Sequence, residues 1–190
     1  MGRRNPDARK ALLESTLKEL MKTHSFDKIT IKMITEKADI VRPVFYNYFH
    51  DKYDLLESVF QSDILDKMEG LVEDDMVEEA LKVLFVRMEK DKEFYSKAFE
   101  ITGQNSFTEI METRLAHMFK DYLDKNELIE QPGMDFWTED FVSKYYAVYV
   151  TSSIRNWIMY DNDSSAYDMI RAHNLLATNN IWDLIKKNPQ

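Results

Sequence analysis

Apolar residues recur every three or four positions along most of the chain, and this spacing predicts helices rather than strands. An early example is the set Leu13, Leu17, Leu20 and Met21, which lies on one face of a first helix. Strict alternation of apolar and polar residues, the pattern typical of half-buried strands, is almost absent. The pattern therefore predicts an all-α fold with about nine helices.

Breaks between the predicted helices are sparse, because the 190 residues include only four glycines and four prolines. The segment 23–28 interrupts the first helix, and Thr30 is expected to cap a second one over residues 31–37. A third short helix is expected at 41–49. Asp51 is expected to cap a fourth helix, which carries the polypeptide into the second part of the chain.

The second part of the chain predicts longer helices. Residues 135–160, which follow Pro132 and Gly133, have apolar side chains on nearly every side of a helix. A helix that is apolar all round is buried on more than one face. A last helix is expected at about residues 165–186. The other predicted helices lie at about residues 77–89, 91–101 and 106–125.

The two short helices at 31–37 and 41–49, joined by three residues, form a candidate helix-turn-helix. In the second of them Phe45 and Phe49 are four residues apart, so both can face the domain core. The opposite side, centred on Tyr46, is then free. In a helix-turn-helix this side of the second helix lies in the DNA major groove.

The free side carries residue types that bind DNA. Arginine can bond bidentately to guanine, and tyrosine hydroxyls and lysine ammonium groups can bond phosphates. The start of the helix at 31–37, next to Thr30, can also attract an anion. The same side chains could instead be boundary and surface residues of a structural helix pair, and spacing alone leaves both interpretations open. The candidate contacts are Thr30, Arg42, Val44, Tyr46, Asn47, Tyr48 and Lys52.

Charge divides the chain unequally. Residues 1–55 hold 11 Lys/Arg and 8 Asp/Glu, whereas residues 56–190 hold 14 and 26, and the total is −9. A basic front on an acidic body permits a nucleic-acid surface confined to the front. A chance excess of three charges is the alternative.

Several other classes of protein are disfavoured. The chain has no cysteine, which excludes disulfides and thiolate zinc sites, and His117 and His173 lack partners at metal-ligand spacing, so neither a metal nor a cofactor is expected. No Glu-x-x-His pair, glycine-rich phosphate loop or Ser/His/Asp pattern favours an enzyme. The polar N-terminus and the lack of a long apolar run favour a cytoplasmic protein.

The run ITIKMITEKADIVRPVFYNYFHDKYDLL resembles the DNA-binding domain of the TetR family of transcriptional regulators. Its distinctive part is the aromatic core F-Y-x-Y-F at 45–49, followed by D-K and L-L. The resemblance implies a helix-turn-helix domain at 1–55 and an effector-binding and dimerisation domain at 56–190. It also implies base contacts for Arg42 and Pro43, base or backbone contacts for Tyr46, and phosphate contacts for Tyr48, Thr30 and Lys52.

Two residues depart from the family pattern. Many members have glycine where Asp39 stands and serine where Val41 stands. Aspartate can adopt a left-handed turn at some cost, whereas valine cannot supply a side-chain cap. Pro43 can compensate, because a proline in the first helical turn favours initiation. Whether these changes weaken the DNA-reading helix is left open.

The resemblance implies a homodimeric regulator that binds palindromic operator DNA under the control of a small-molecule effector. The alternative is a co-regulator of the same fold that docks on a protein partner and has lost operator binding. The effector pocket is expected among Tyr95, Phe99, Phe107, Met111, Phe119, Tyr146, Tyr149 and Trp157. The dimer interface is expected to include Phe141, Tyr145, Ile154, Ile170, Ile181 and Trp182.

Overall fold

The computed structural model describes residues 6–160, 163–180 and 183–184, and every regular element within them is helical. A π turn over Gln61–Leu65 joins α4 to α5 without a break, so the ten α-helical segments of the described residues make nine separate helices, as predicted. No helix in this part of the chain is long and apolar enough to cross a membrane. The segments are α1 (Pro6–Met21), α2 (Ile31–Lys37), α3 (Arg42–Tyr46), α4 (Lys52–Phe60), α5 (Asp66–Glu73), α6 (Val77–Lys90), α7 (Lys92–Phe99), α8 (Phe107–Lys125), α9 (Glu139–Tyr160) and α10 (Ala166–Thr178).

Side-chain caps begin α2 and α4. The Thr30 hydroxyl accepts a hydrogen bond from the third amide of α2 at 3.2 Å. The Asp51 carboxylate accepts from the second and third amides of α4, at 2.7 and 2.9 Å. Asp54, the third residue of α4, accepts in turn from the His50 amide at 2.9 Å, one residue before the cap. Both predicted caps are confirmed.

Three predicted helix boundaries differ from the structure. The helix α3 ends at Tyr46 rather than near residue 49, and turn hydrogen bonds continue beyond it. The helix α9 begins at Glu139 rather than 135, because the Thr138 hydroxyl accepts the Phe141 amide and acts as its cap. The helix α10 ends at Thr178, and the predicted end near residue 186 lies outside the described residues.

Two packing units share one helix. In the N-terminal unit, Leu13 and Leu17 of α1 pack with Ile34 of α2 and Phe45 of α3, and all four side chains are fully buried. The second unit is built around α8 and α9, which lie side by side, with α6 and α7 against them. The division predicted after residue 55 falls inside α4, so this helix carries side chains of both units.

Candidate nucleic-acid interface

The aromatic residues of α3 and the turn after it divide between core and surface. The Phe45 and Phe49 rings are buried with their centroids 5.6 Å apart. They fasten α3 to the N-terminal unit. Tyr46 is 47% exposed on the opposite side, and Tyr48 is half-buried with its ring 6.3 Å from that of Phe49. The outward face of α3 is therefore open, as its spacing predicts.

Arg42 and Tyr46 form a pair on this open face. One guanidinium nitrogen, Nη2, donates to the Tyr46 hydroxyl at 2.9 Å, and the Cζ atom lies 5.5 Å from the tyrosine ring centroid. Both side chains are exposed. The pair places a planar cation with further free edges at the start of a short helix, which is the group that reads guanine in a major groove.

The turn before α3 contains Asp39 and Val41, the two residues that depart from the family pattern. Asp39 has φ 52°, in the left-handed region, and the Ile40 amide still closes the turn onto Thr35 O at 3.0 Å. Val41 precedes α3 without a side-chain cap, and Pro43 lies in the first turn. The helix therefore forms despite the missing glycine and serine.

The other predicted contacts differ in how accessible they are. Thr30, Pro43 and Asn47 are exposed, and Val44 is half-buried. The Thr30 oxygen already accepts an amide of α2, which leaves its hydroxyl proton free to donate.

Lys52 has a different role from the predicted phosphate contact. Its Nζ donates to the backbone carbonyls of Phe26, Asp27 and Ile29 at 2.8, 3.2 and 3.1 Å. An ammonium group has three donors, so all of them are engaged within the chain. Burial lowers the pKa of Lys52, and the negative charges of Asp27 and Asp51 oppose that shift. This lysine ties the start of α4 to the turn before α2.

Most of the predicted effector-pocket residues lie in the core. Two sets of aromatic rings pack edge to face, one around Phe107, 5.0 Å from the ring of Phe99, and one around Tyr146, 5.0 Å from that of Phe119. Tyr146 also contacts His173, its hydroxyl 2.9 Å from Nε2. The buried members of the predicted set are Tyr95, Phe99, Phe107, Met111, Phe119 and Trp157, whereas Tyr146 and Tyr149 are half-buried.

An open groove lies instead between α5 and α8, and we call it the α5–α8 groove. Its volume is about 380 Å³. Apolar side chains lie next to carboxylate and basic groups along its walls, and none of the predicted pocket residues is among them. The lining residues are Gln61, Leu65, Glu69, Val72, Glu73, Arg114, His117, Met118, Asp121, Tyr122 and Lys125.

The predicted dimer-interface residues are partly buried in the core and partly exposed. Ile154 and Ile170 are buried within the chain, so they cannot form a contact surface, because they fill the core under α9 and α10. Phe141 and Tyr145 are exposed, and Ile181 and Trp182 lie outside the described residues. The exposed apolar side chains of α9 and α10, which we call the α9–α10 face, are Phe141, Tyr145, Val148, Tyr160, Tyr167, Leu175 and Leu176.

Two polar connections that the sequence pattern did not reveal join the packing units. Lys18 of α1 donates to Asp63 at 2.7 Å and to Asp91 at 2.6 Å. Although partial burial opposes the shift, these two bonds raise the pKa of Lys18. Arg114 of α8 bonds to Glu57 and Gln61. The partners are far apart in the chain, so no local spacing could have indicated them.

Family models match both parts of the chain. Residues 15–59 match a model described as bacterial regulatory proteins of the tetR family. Residues 75–179 match a model of the C-terminal region of transcriptional regulators of the TetR type. These ranges contain the helix-turn-helix and most of the second packing unit.

Related proteins are regulators as well. The HTH-type dhaKLM operon transcriptional activator DhaS of Lactococcus lactis is 23% identical over 159 residues, 80% of each chain. An HTH-type transcriptional regulator of Bacillus subtilis, YxbF, is 24% identical over 192 residues, and the match covers 96% of this chain but 46% of YxbF.

Solved structures show the same fold. A DhaS structure aligns with a TM-score of 0.59 at 20% identity, covering 89% of this chain and 94% of that one. FadR of Thermus thermophilus, a repressor solved with lauroyl-CoA, aligns with a TM-score of 0.65 at 15% identity, covering 95% and 98%. Relatives and families alike are transcriptional regulators rather than enzymes.

Proposed function

Because the chain belongs to the TetR family of transcriptional regulators, we propose that it binds palindromic operator DNA as a homodimer under the control of a small-molecule effector. The observation that carries this proposal is the open face of α3, where Arg42 and Tyr46 form an exposed pair. The exposed guanidinium and phenol are groups that can bond base edges and phosphates in a major groove.

Operator contact is supported by the chemistry of that face. Arg42 can donate two hydrogen bonds to a guanine edge, and Pro43 and Val44 offer apolar contact to a thymine methyl. Tyr46, Asn47, Tyr48 and the Thr30 hydroxyl can bond bases or phosphates and so set the register. Lys52 is left out, because its donors are already used.

Dimerisation is supported by the α9–α10 face. Tyr145 is 71% and Tyr167 75% exposed, Val148 follows Tyr145 by three residues on α9, and Leu175 of α10 is exposed as well. Soluble monomers rarely expose such large apolar side chains in groups. A two-fold dimer would bury them and would place two α3 helices against the two halves of a palindrome.

Effector control is supported by the α5–α8 groove, because its volume of about 380 Å³ lies in the range of small-molecule sites. The groove lies on the continuous helix α4–α5, which also leads to the helix-turn-helix. A ligand there contacts an element that extends to the DNA-reading unit. The co-regulator alternative is less well supported, because α3 forms with its outer face intact despite Asp39 and Val41.

Selection of duplexes from a random pool by the full chain tests the proposal. We expect the enriched sequences to be palindromes with half-site centres about 10 base pairs, or one helical turn, apart. Loss of binding between 50 and 200 mM salt should be steep, since phosphate contacts dominate affinity. Failure to enrich any sequence at low salt would refute operator binding, and enrichment of single half-sites would refute the dimer.

A further inference from the structure

Two neighbouring grooves are separated by the same two side chains. Besides the α5–α8 groove, a second groove of about 380 Å³ borders the end of the DNA-reading helix, and we call it the α3–α4 groove. Gln61 and Arg114 line both. The other residues of the α3–α4 groove are Lys10, Asn47, Tyr48, Phe49, Asp54, Glu57 and Ser58.

We call Gln61 and Arg114 the partition between the two grooves. Hydrogen bonds connect these two residues to each other and to helices on both sides. The Gln61 amide nitrogen donates to Asp66 at 2.7 Å and to Glu69 at 2.9 Å, both on α5. The Gln61 oxygen accepts from Arg114 Nη2 at 2.6 Å. Arg114 Nε lies 3.2 Å from the Glu57 carboxylate on α4. A continuous set of bonds therefore links α5, α8 and α4.

The partition is placed where a small displacement matters. Gln61 is the first residue of the π turn, and such turns often mark functional points within helices. Glu57 lines the same groove as Asn47 and Tyr48, which follow directly after α3. A shift of α4 relative to α8 would therefore change the wall of the groove that borders the end of α3.

We propose that Arg114 is a positioning residue. Arg114 holds α4, and with it α3, in one position relative to α8. A ligand in the α5–α8 groove changes DNA binding by displacing the Arg114 side chain. The inference rests on the proposed operator binding and names the residue through which the effector is read. None of the predicted pocket residues takes part.

The strength of the Arg114–Glu57 pair suits such a role. The two side chains are 37% and 38% exposed, and exposed ion pairs of this kind contribute a factor of about five or less to an equilibrium. A modest preference of the ligand for one arrangement can therefore shift the population. Loss of the pair should change DNA affinity without unfolding the chain.

The first test measures affinity for the duplex selected by the parent. Arg114→Gln and Glu57→Gln should each weaken binding about three- to fivefold, the double variant should be no weaker than either, and Arg114→Lys should stay within about twofold of the parent. Lys82→Gln is the matched control, because among the described residues Lys82 pairs with Glu78 and Glu79 of its own helix. It should bind like the parent, and thermal unfolding should show every variant folded.

Charge alone predicts a different result. Glu57→Gln removes a negative charge near the DNA and would then tighten binding. That outcome, or parent-like binding by folded Arg114→Gln, would overturn the positioning role while leaving operator binding intact. A parent chain that binds no duplex would instead remove the proposed function itself and this inference with it.

The second test fills the α5–α8 groove without a ligand. His117 is exposed and lines the groove, so His117→Trp places an indole there. We expect operator affinity to change at least about threefold in the parent background and to stay unchanged in the Arg114→Gln background. Equal changes in both backgrounds, or no change in the parent, would show that Arg114 does not report occupancy.

Discussion

At the scale of single residues, Lys52 shows that identity and position in a motif do not fix what a side chain bonds. Its three donors are used on carbonyls of the turn before α2, and its ammonium lies 4.6 Å from the Phe26 ring centroid. These carbonyls belong to Phe26, Asp27 and Ile29, which precede Lys52 by 23 to 26 positions in the chain. Only the folded backbone brings them within reach of Lys52.

Lys52→Met keeps the aliphatic stem and removes these bonds. We expect the free energy of unfolding in urea to fall by about 1–2 kcal/mol, because hydrogen bonds from a charged donor are lost. The matched control is Lys28→Met, which changes an exposed lysine of the same segment and should stay within about 0.5 kcal/mol. If Lys52→Met instead reduces the slope of log affinity against log salt concentration by about one, Lys52 contacts a DNA phosphate.

His173 predicts a pH dependence. Burial lowers its pKa, so the folded chain binds fewer protons there than the unfolded chain, whose histidine titrates near pH 6.5. This contribution to stability is present above about pH 6.5 and is lost as pH falls toward the lower folded value. Urea unfolding at pH 7.5 and 5.5 should show a smaller loss for His173→Phe than for the parent. Equal losses would contradict the assignment.

At the scale of elements, the sequence alone predicts the start of a helix where that helix has its own capping residue. Thr30 and Asp51 cap α2 and α4 as their sequence predicts, and Phe45 and Phe49 face the core. The start of α9 was misplaced, because apolar residues before Thr138 extend the helical pattern into a turn. The division of α9 into buried and exposed sides is also not local, since it depends on α8 lying against it.

Val41→Ser tests how much the missing cap costs α3. Val41 already has the extended backbone of a cap residue, with φ −80° and ψ 143°, and is 66% exposed. Because Pro43 has no amide, a serine hydroxyl would accept from the Val44 amide, which already donates to the residue 41 carbonyl oxygen at 2.9 Å and would then be shared. We expect a gain of about 0.5–1 kcal/mol in unfolding free energy over Val41→Ala. Equal stability of the two variants would mean that α3 does not lack a cap.

At the scale of the whole molecule, the exposed apolar side chains of α9 and α10 predict assembly. In a two-fold interface each substitution acts on both copies. Sedimentation at micromolar concentration should show a dimer for the parent and a monomer for Tyr145→Asp. Met76→Asp, which changes an exposed apolar residue outside the α9–α10 face, should remain dimeric. A monomeric parent would contradict the proposed interface.

The all-helical fold and the open outer face of α3 could be predicted from the sequence because both depend on short-range spacing. The position of the α5–α8 groove could not. Tyr95 and Phe107 have the composition of a ligand pocket, yet their rings lie 5.7 Å apart in the core. Gln61 and Arg114, by contrast, are ordinary polar residues of two helices that are distant in the chain, and only tertiary packing brings them to a groove.

Fluorescence anisotropy of the selected duplex and of a scrambled one tests the central claim most directly, with the parent, Arg42→Ala and Tyr46→Ala. We expect each variant to lose about 1–3 kcal/mol of affinity for the selected duplex. Binding to the scrambled duplex should change much less, since that binding depends on phosphates. If both variants, folded and at the same salt, bind the selected duplex as the parent does, α3 is not the helix that reads DNA.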